Sequence, residues 1–285
     1  MKPQKIIVYI KFKIWQKTLG TGRQKNRVIN INLILYILYF CLFRLQAQSL
    51  PGISDIYYSQ QAHDLPAYAP FVGSCLVEAL FRNDYCAREL MYKSLGLHLA
   101  KDGNVFHLQV SHNGYAHFGE VRVGAGYGRL FGKHFSISLT AIYLCQHAEH
   151  YQGRHSFTVN LSACCLIGSR WGLSVGLFNP ILMRYGISGP EVIPLTFSLQ
   201  AHHQWSDRLL VFLRVEKTLP GGADVAGGLS YRPVAHLHLT GTCSLRHLGL
   251  EVDVPWRHLL IRIRTGWYYR VNFSHAAAVQ YFFKI

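Results

Sequence analysis

The sequence predicts an all-β protein: a closed antiparallel transmembrane β-barrel of about 14 strands, with 12–14 compatible, preceded by a cleaved signal peptide. Three observations lead there. Apolar and polar residues alternate with a period of two over long runs, which marks strands with one apolar and one polar face. Several runs reach 11–14 residues, beyond the five or six usual in soluble sheets and enough to cross a bilayer when tilted. The connections alternate between tight turns and longer loops, as in bacterial outer-membrane barrels. An unpaired edge is not tolerated in lipid, so such a sheet must close.

Composition agrees. Of 285 residues, 50% are hydrophobic and 15% charged, where a soluble domain carries about a quarter. Disorder is excluded by the apolar content. A helical multi-span protein is excluded because no clean apolar stretch reaches about 18 residues. The net charge of +15 is concentrated at one end: residues 1–47 hold nine Lys/Arg and no acid, leaving 20 basic and 14 acidic residues beyond. A nucleic-acid partner is therefore not expected.

The basic stretch precedes an apolar run, Ile31–Phe43, and then Leu45-Gln-Ala47. Basic, apolar and then small is the layout of an export signal, with cleavage after Ala47; a retained anchor is the alternative. Residues 48–70 read as a short periplasmic or plug segment, and 71–285 as the barrel. Six cysteines remain after Ala47, at spacings that match no zinc pattern.

Candidate strands lie near 71–83, 92–100, 104–112, 117–130, 133–146, 154–168, 170–178, 193–204, 207–217, 222–231, 235–245, 248–256, 259–271 and 275–285. The run Phe135, Ile137, Leu139, Ala141, Tyr143, Cys145 against Ser136, Ser138 and Thr140 is typical. Tight turns follow the even-numbered strands, for example Lys101-Asp-Gly103 and Arg257-His258; the longest link is Asn179–Val192. Trp171, Trp205 and Trp256 each sit beside a tight turn. They read as an aromatic girdle, where an amphipathic ring is stable with one side wet; three scattered core tryptophans are the alternative.

The inward face carries Glu120, Arg122, Arg170, Arg214, Glu216, Glu251, Asp253, Arg262, Arg264 and Arg270. These are the pore-lining candidates. Charges of both signs on one face suit ion-pair ladders that stiffen a wet interior. The functional alternative is a pore whose arginine excess favours anions. His236 and His238 share a strand face and could chelate a metal with a third ligand, but no acid completes a site. Gly124-Ala-Gly-Tyr-Gly128 lies inside a strand without the following helix a phosphate cradle needs. No nucleophile, acid and base set is visible, so neither catalysis, cofactor nor metal is expected.

Several segments carry a family resemblance: Gly114–Gly132, Gly176-Leu-Phe-Asn-Pro180, Arg214-Val-Glu-Lys217 and Tyr231-Arg-Pro-Val234. In order and spacing they resemble the PorV/PorQ-like, FadL-related outer-membrane proteins of Bacteroidota, from about residue 75 to the end. The resemblance implies a barrel related at a distance to long-chain fatty-acid channels and to a shuttle of type IX secretion. Such proteins usually open with a plug containing an Asn-Pro-Ala-Gly-like motif; residues 48–70 lack it. The expected function is non-enzymatic transport or secretion at the outer membrane, the alternative a scaffold barrel with no open pore. The expected partners are outer-membrane lipid, hydrophobic or anionic small molecules, and secretion-system components.

Overall fold

The computed structural model describes residues 53–285 except 116, 150–152, 187–191, 270–272 and 285. The signal peptide expected over residues 1–47 and the start of the plug segment lie outside the described residues. The chain opens with helix α1 (Ile53–Gln61), a 3₁₀ turn (Pro66–Tyr68) and the one-turn helix α2 (Ala69–Val72). Gly73 then takes a left-handed φ of +66° and redirects the chain into the barrel wall.

The strands are β1 (Cys75–Asn83), β2 (Met91–Lys101), β3 (Asn104–Gly114), β4 (Phe118–Phe131), β5 (Phe135–Ala148), β6 (Arg154–Ile167) and β7 (Trp171–Phe178). They continue as β8 (Leu195–Ser206), β9 (Leu209–Leu219), β10 (Ala223–Val234), β11 (Leu237–Ser244), β12 (His247–Trp256), β13 (Leu259–Tyr268) and β14 (Phe273–Phe283). Each pairs antiparallel with its sequence neighbours, and β1 pairs with β14 to close the barrel. Every backbone donor along the wall thus has a ladder partner available, the condition for a sheet in hydrocarbon.

Side chains are arranged inside out relative to a soluble protein. Ser138, Thr140, Thr158 and Ser162 are buried on the inner face, while Leu108, Ile137, Leu139, Phe157 and Ile263 are exposed on the outer one. So continuous an exposed apolar surface is a lipid-facing belt. Trp171, Trp205 and Trp256 are all exposed at the tight-turn end. Trp171 packs on His203 with ring centroids 4.2 Å apart. Leu139 lies mid-strand between Tyr127 and Leu161 and is 50% exposed. Leu139→Arg is expected to cost about 2–4 kcal/mol, while Phe131→Arg at the interface costs about 1 or less. Urea unfolding in lipid vesicles checks this; equal costs would place both outside hydrocarbon.

Several boundaries differ from the sequence expectation, and three have a local cause. The barrel begins at Cys75 rather than 71, because Ala69–Val72 forms α2. β8 begins at Leu195 rather than near 193, because Pro194 has no N–H for the ladder and Ile193 turns inward onto Leu144 and Tyr185. β6 ends at Ile167, because Gly168 takes φ +65° and opens the turn.

Candidate functional site

The site is the barrel interior, built in two storeys. The lower storey is a plug. The tight-turn end is filled by residues 53–72, whose side chains are buried on several sides at once. Ile56 packs on Leu76, Leu260 and Phe282. Tyr57, Leu65, Ala67 and Tyr68 pack on Val105, Cys164 and Leu210, all near the tight turns. Tyr57, Tyr58, Tyr68, His202 and Phe212 form one aromatic cluster with centroid spacings from 5.0 Å upward. Burying each such ring contributes about 1.5–3 kcal/mol.

Polar contacts position the plug. The Ser59 hydroxyl donates to Gln280 Oε1 at 3.0 Å, and the Gln280 amide returns a bond to the Ser59 carbonyl at 3.2 Å. Tyr68 donates to Ser174 at 3.0 Å, the Ala67 N–H donates to Ser162 at 3.0 Å, and Ser136 donates to the Ala67 carbonyl. The Gln200 amide donates to the Tyr57 hydroxyl. Burial pushes the Tyr57 and Tyr58 phenols further above their ordinary range, so both remain protonated.

One plug residue enters a charged cluster. Gln60 Nε2 donates to Glu251 at 2.7 Å and to Asp253 at 2.6 Å. Arg262 holds Asp253 at 2.8 Å, and Arg264 holds Glu251 at 2.5 Å. The strand register explains the grouping: Glu251 faces Arg264 and Asp253 faces Arg262 across β12 and β13. Arg262 is 7% exposed and Asp253 0%. Both are therefore locked into the structure.

The upper storey is a cup open toward the long loops. A cavity of about 610 Å³ lies among Gln61, His63 and Asp64 of the plug, Glu120 and Arg122 of β4, and Arg214 and Glu216 of β9. A second, of about 390 Å³, shares Gln61, Asp64, Gln200, Arg214 and Glu216 and extends to Asp224, Arg246 and Arg264. Most charges in the cup are already paired. Glu120 bonds Arg122 and accepts from Tyr185, and Arg82 pairs with Asp84 at 3.0 Å. His63 pairs with Asp64 at 2.8 Å and bonds Gln109 at 2.7 Å. Burial draws His63 down, but the Asp64 carboxylate outweighs it and the imidazole ends above its ordinary value. Burial acts upward on Asp64, and the His63 bond overcomes it and holds the carboxyl well below the usual range. The Asp64 side chain is 67% exposed to the cup, so water screens the pair.

Eight of the ten residues read as pore-lining stand on the inner face: Glu120, Arg122, Arg214, Glu216, Glu251, Asp253, Arg262 and Arg264. Arg170 does not. It lies exposed in the turn between β6 and β7, because β7 begins one residue later, at Trp171. Arg270 lies outside the described residues. The glycines of Gly124–Gly128 face inward, as read; a Cβ on Gly126 would meet His107 Nε2 at 2.2 Å, so the glycine makes room for that ring. His238 is fully buried on the inner face and pairs in register with Asp253. Among the described residues no group of three His, Cys, Asp or Glu could hold a metal ion.

Sequence reading missed Gln60 and Gln280, which bind the plug to the wall, and Glu78, which accepts from Gln280. A signal for Gln280 was present: it is the one long polar side chain within Ala276–Tyr281. Gln60 had none, since a polar residue on a short helix ordinarily faces solvent.

No family model and no curated protein sequence matches the chain. Solved structures share its fold. The Pseudomonas putida toluene transporter TodX is 9% identical, with a TM-score of 0.59 over 83% of this chain and 94% of that one. The CymD monoaromatic hydrocarbon channel is 8% identical, with a TM-score of 0.56 over 85% and 95%. A Pseudomonas aeruginosa FadL homologue is 8% identical, with a TM-score of 0.54 over 78% and 93%. The likeness is one of architecture: the closed antiparallel β-barrel.

Proposed function

We propose that this protein is a non-enzymatic outer-membrane barrel that admits small molecules from the long-loop side into a luminal cup. The observation that carries the reading is the two-storey interior: an open, partly charged cavity above a plug held by hydrogen bonds and aromatic packing. The likeness to TodX, a toluene transporter, and CymD, a monoaromatic hydrocarbon channel, supports transport as the class. Passage to the other side requires the plug to shift, because residues 53–72 occupy the tight-turn end.

The filled lower storey favours a second reading, a scaffold barrel that presents loops to partners and conducts nothing. The PorV- and PorQ-like segments support a narrower form, in which the barrel serves type IX secretion. Pull-down from a tagged outer-membrane preparation tests that form through the recovery of secretion components.

Solute uptake by vesicles carrying the full-length protein separates transport from scaffold. Fatty acids, sugars and small anions are the test solutes. Transport predicts uptake of at least one class above protein-free vesicles. Uptake of none, by protein that shows the heat-dependent gel shift of a folded barrel, leaves the scaffold.

A further inference from the structure

We propose that the cup binds a small zwitterion, an amino acid or short peptide carrying a free ammonium and a free carboxylate, at a station on β9 and β10. The proposal rests on the transport reading and names the class of solute. It starts from which charges in the cup lack partners. Glu120, Arg122, His63, Asp64, Arg82, Glu251 and Arg264 are all paired within the protein. Among the described residues the side chains of Arg214, Glu216, Asp224 and Arg246 make no hydrogen bond or ion pair, and all four line the second cavity.

Register brings the four together. Glu216 and Asp224 stand directly opposite each other across β9 and β10. Like charges so placed repel unless a cation lies between them. Asp224 Oδ1 is moreover buried without a hydrogen-bond partner. Arg214 stands two residues from Glu216 on the same inner face, about 6–7 Å along the strand. Arg246 reaches toward the same loop, with Nη2 3.0 Å from where a Cβ on Gly222 would lie. Two anions and two cations thus sit side by side without satisfying one another. An ammonium between Glu216 and Asp224, with a carboxylate on Arg214, would give partners to three of the four; guanidinium–carboxylate pairing is the stronger of the two contacts.

A further observation is independent of charge. Gln200, 1% exposed, lies opposite Arg214 and lines both cavities. Its Nε2 is used by Tyr57, but its Oε1 is buried without a donor. A ligand N–H is the donor it lacks. The same groups argue against a hydrocarbon, which would strip water from four unpaired charges and return no hydrogen bond.

The test is binding by the detergent-purified full-length barrel, measured calorimetrically with glycyl-leucine. Its N-acetylated and C-amidated forms and toluene serve as comparisons. The free dipeptide is expected to bind, each masked form to bind at least about tenfold more weakly, and toluene not to bind. Glu216→Gln should remove the penalty for acetylation and Arg214→Gln the penalty for amidation, whatever either does to stability. Masked and free peptides binding alike overturns the proposal, as does an absence of dipeptide binding to folded protein. Vesicle uptake is read separately. Dipeptide binding without uptake sinks transport and supports the station, whereas uptake of other solutes without dipeptide binding spares transport and sinks the station.

Discussion

Deleting residues 53–72 is expected to turn a barrel that passes little current into a standing pore. The segment fills the tight-turn end with Tyr57, Leu65, Ala67 and Tyr68. The wall it would vacate presents Ser136, Ser162, Ser174, Gln200, His202 and Gln280. A polar wall of that kind fills with water once the plug is gone, whereas an apolar one could stay dry. Planar-bilayer recording should show conductance rising by about tenfold or more, since a wet lumen spanning the membrane carries ions. Gln60→Ala is the milder companion. It removes two charge-assisted hydrogen bonds, worth about 1.5–3 kcal/mol each, and leaves the aromatic packing intact, so it should raise brief openings without a standing pore. A folded deletion variant with unchanged conductance would place the barrier elsewhere in the lumen and remove the basis for a movable plug.

The second large effect concerns the charged cluster beneath the cup. Arg262→Met is expected to destabilise the barrel by about 3–5 kcal/mol, the usual consequence of leaving a buried charge without its partner. Asp253 loses its 2.8 Å contact with the guanidinium and keeps the Gln60 amide. Adding Asp253→Asn should recover much of the loss, because the charge that needed compensation is then gone. Arg264→Met should cost far less, since the Arg264 side chain is 55% exposed and its pair is partly screened. Unfolding by urea in vesicles measures all three. Equal losses for Arg262 and Arg264 would contradict the burial difference. The two alternatives read from the sequence for these arginines, a stiffening ladder or a pore lining, therefore divide: Arg262 is structural, and Arg264 faces the cup.

Legibility followed the range of the interactions involved. The alternation in Phe135–Cys145 reports a face directly, because successive side chains on a strand point to opposite sides. The lipid-facing belt, the even strand count and the alternation of turns and loops could be read in that way. Arg170 was misassigned because β7 begins one residue after it, and alternation does not fix the residue at which a strand starts. The inward charges were found, but which of them pair was not. Glu251 meets Arg264, and Glu216 faces Asp224, only through hairpin register, to which spacing along one strand is blind.

Local chemistry alone was enough to specify a closed barrel in lipid, since a period of two over long strands leaves one oily face that only hydrocarbon can cover and edges that only closure can satisfy. Which end of the lumen the N-terminal segment fills was decided by the folded chain. Ile53–Gln61 carries no pattern that distinguishes a solvent-facing helix from one enclosed by fourteen strands. Its place is determined by contacts 143 to 221 residues away along the chain, such as Tyr57 with Gln200 and Ser59 with Gln280. Partners that distant leave no trace in neighbouring residues.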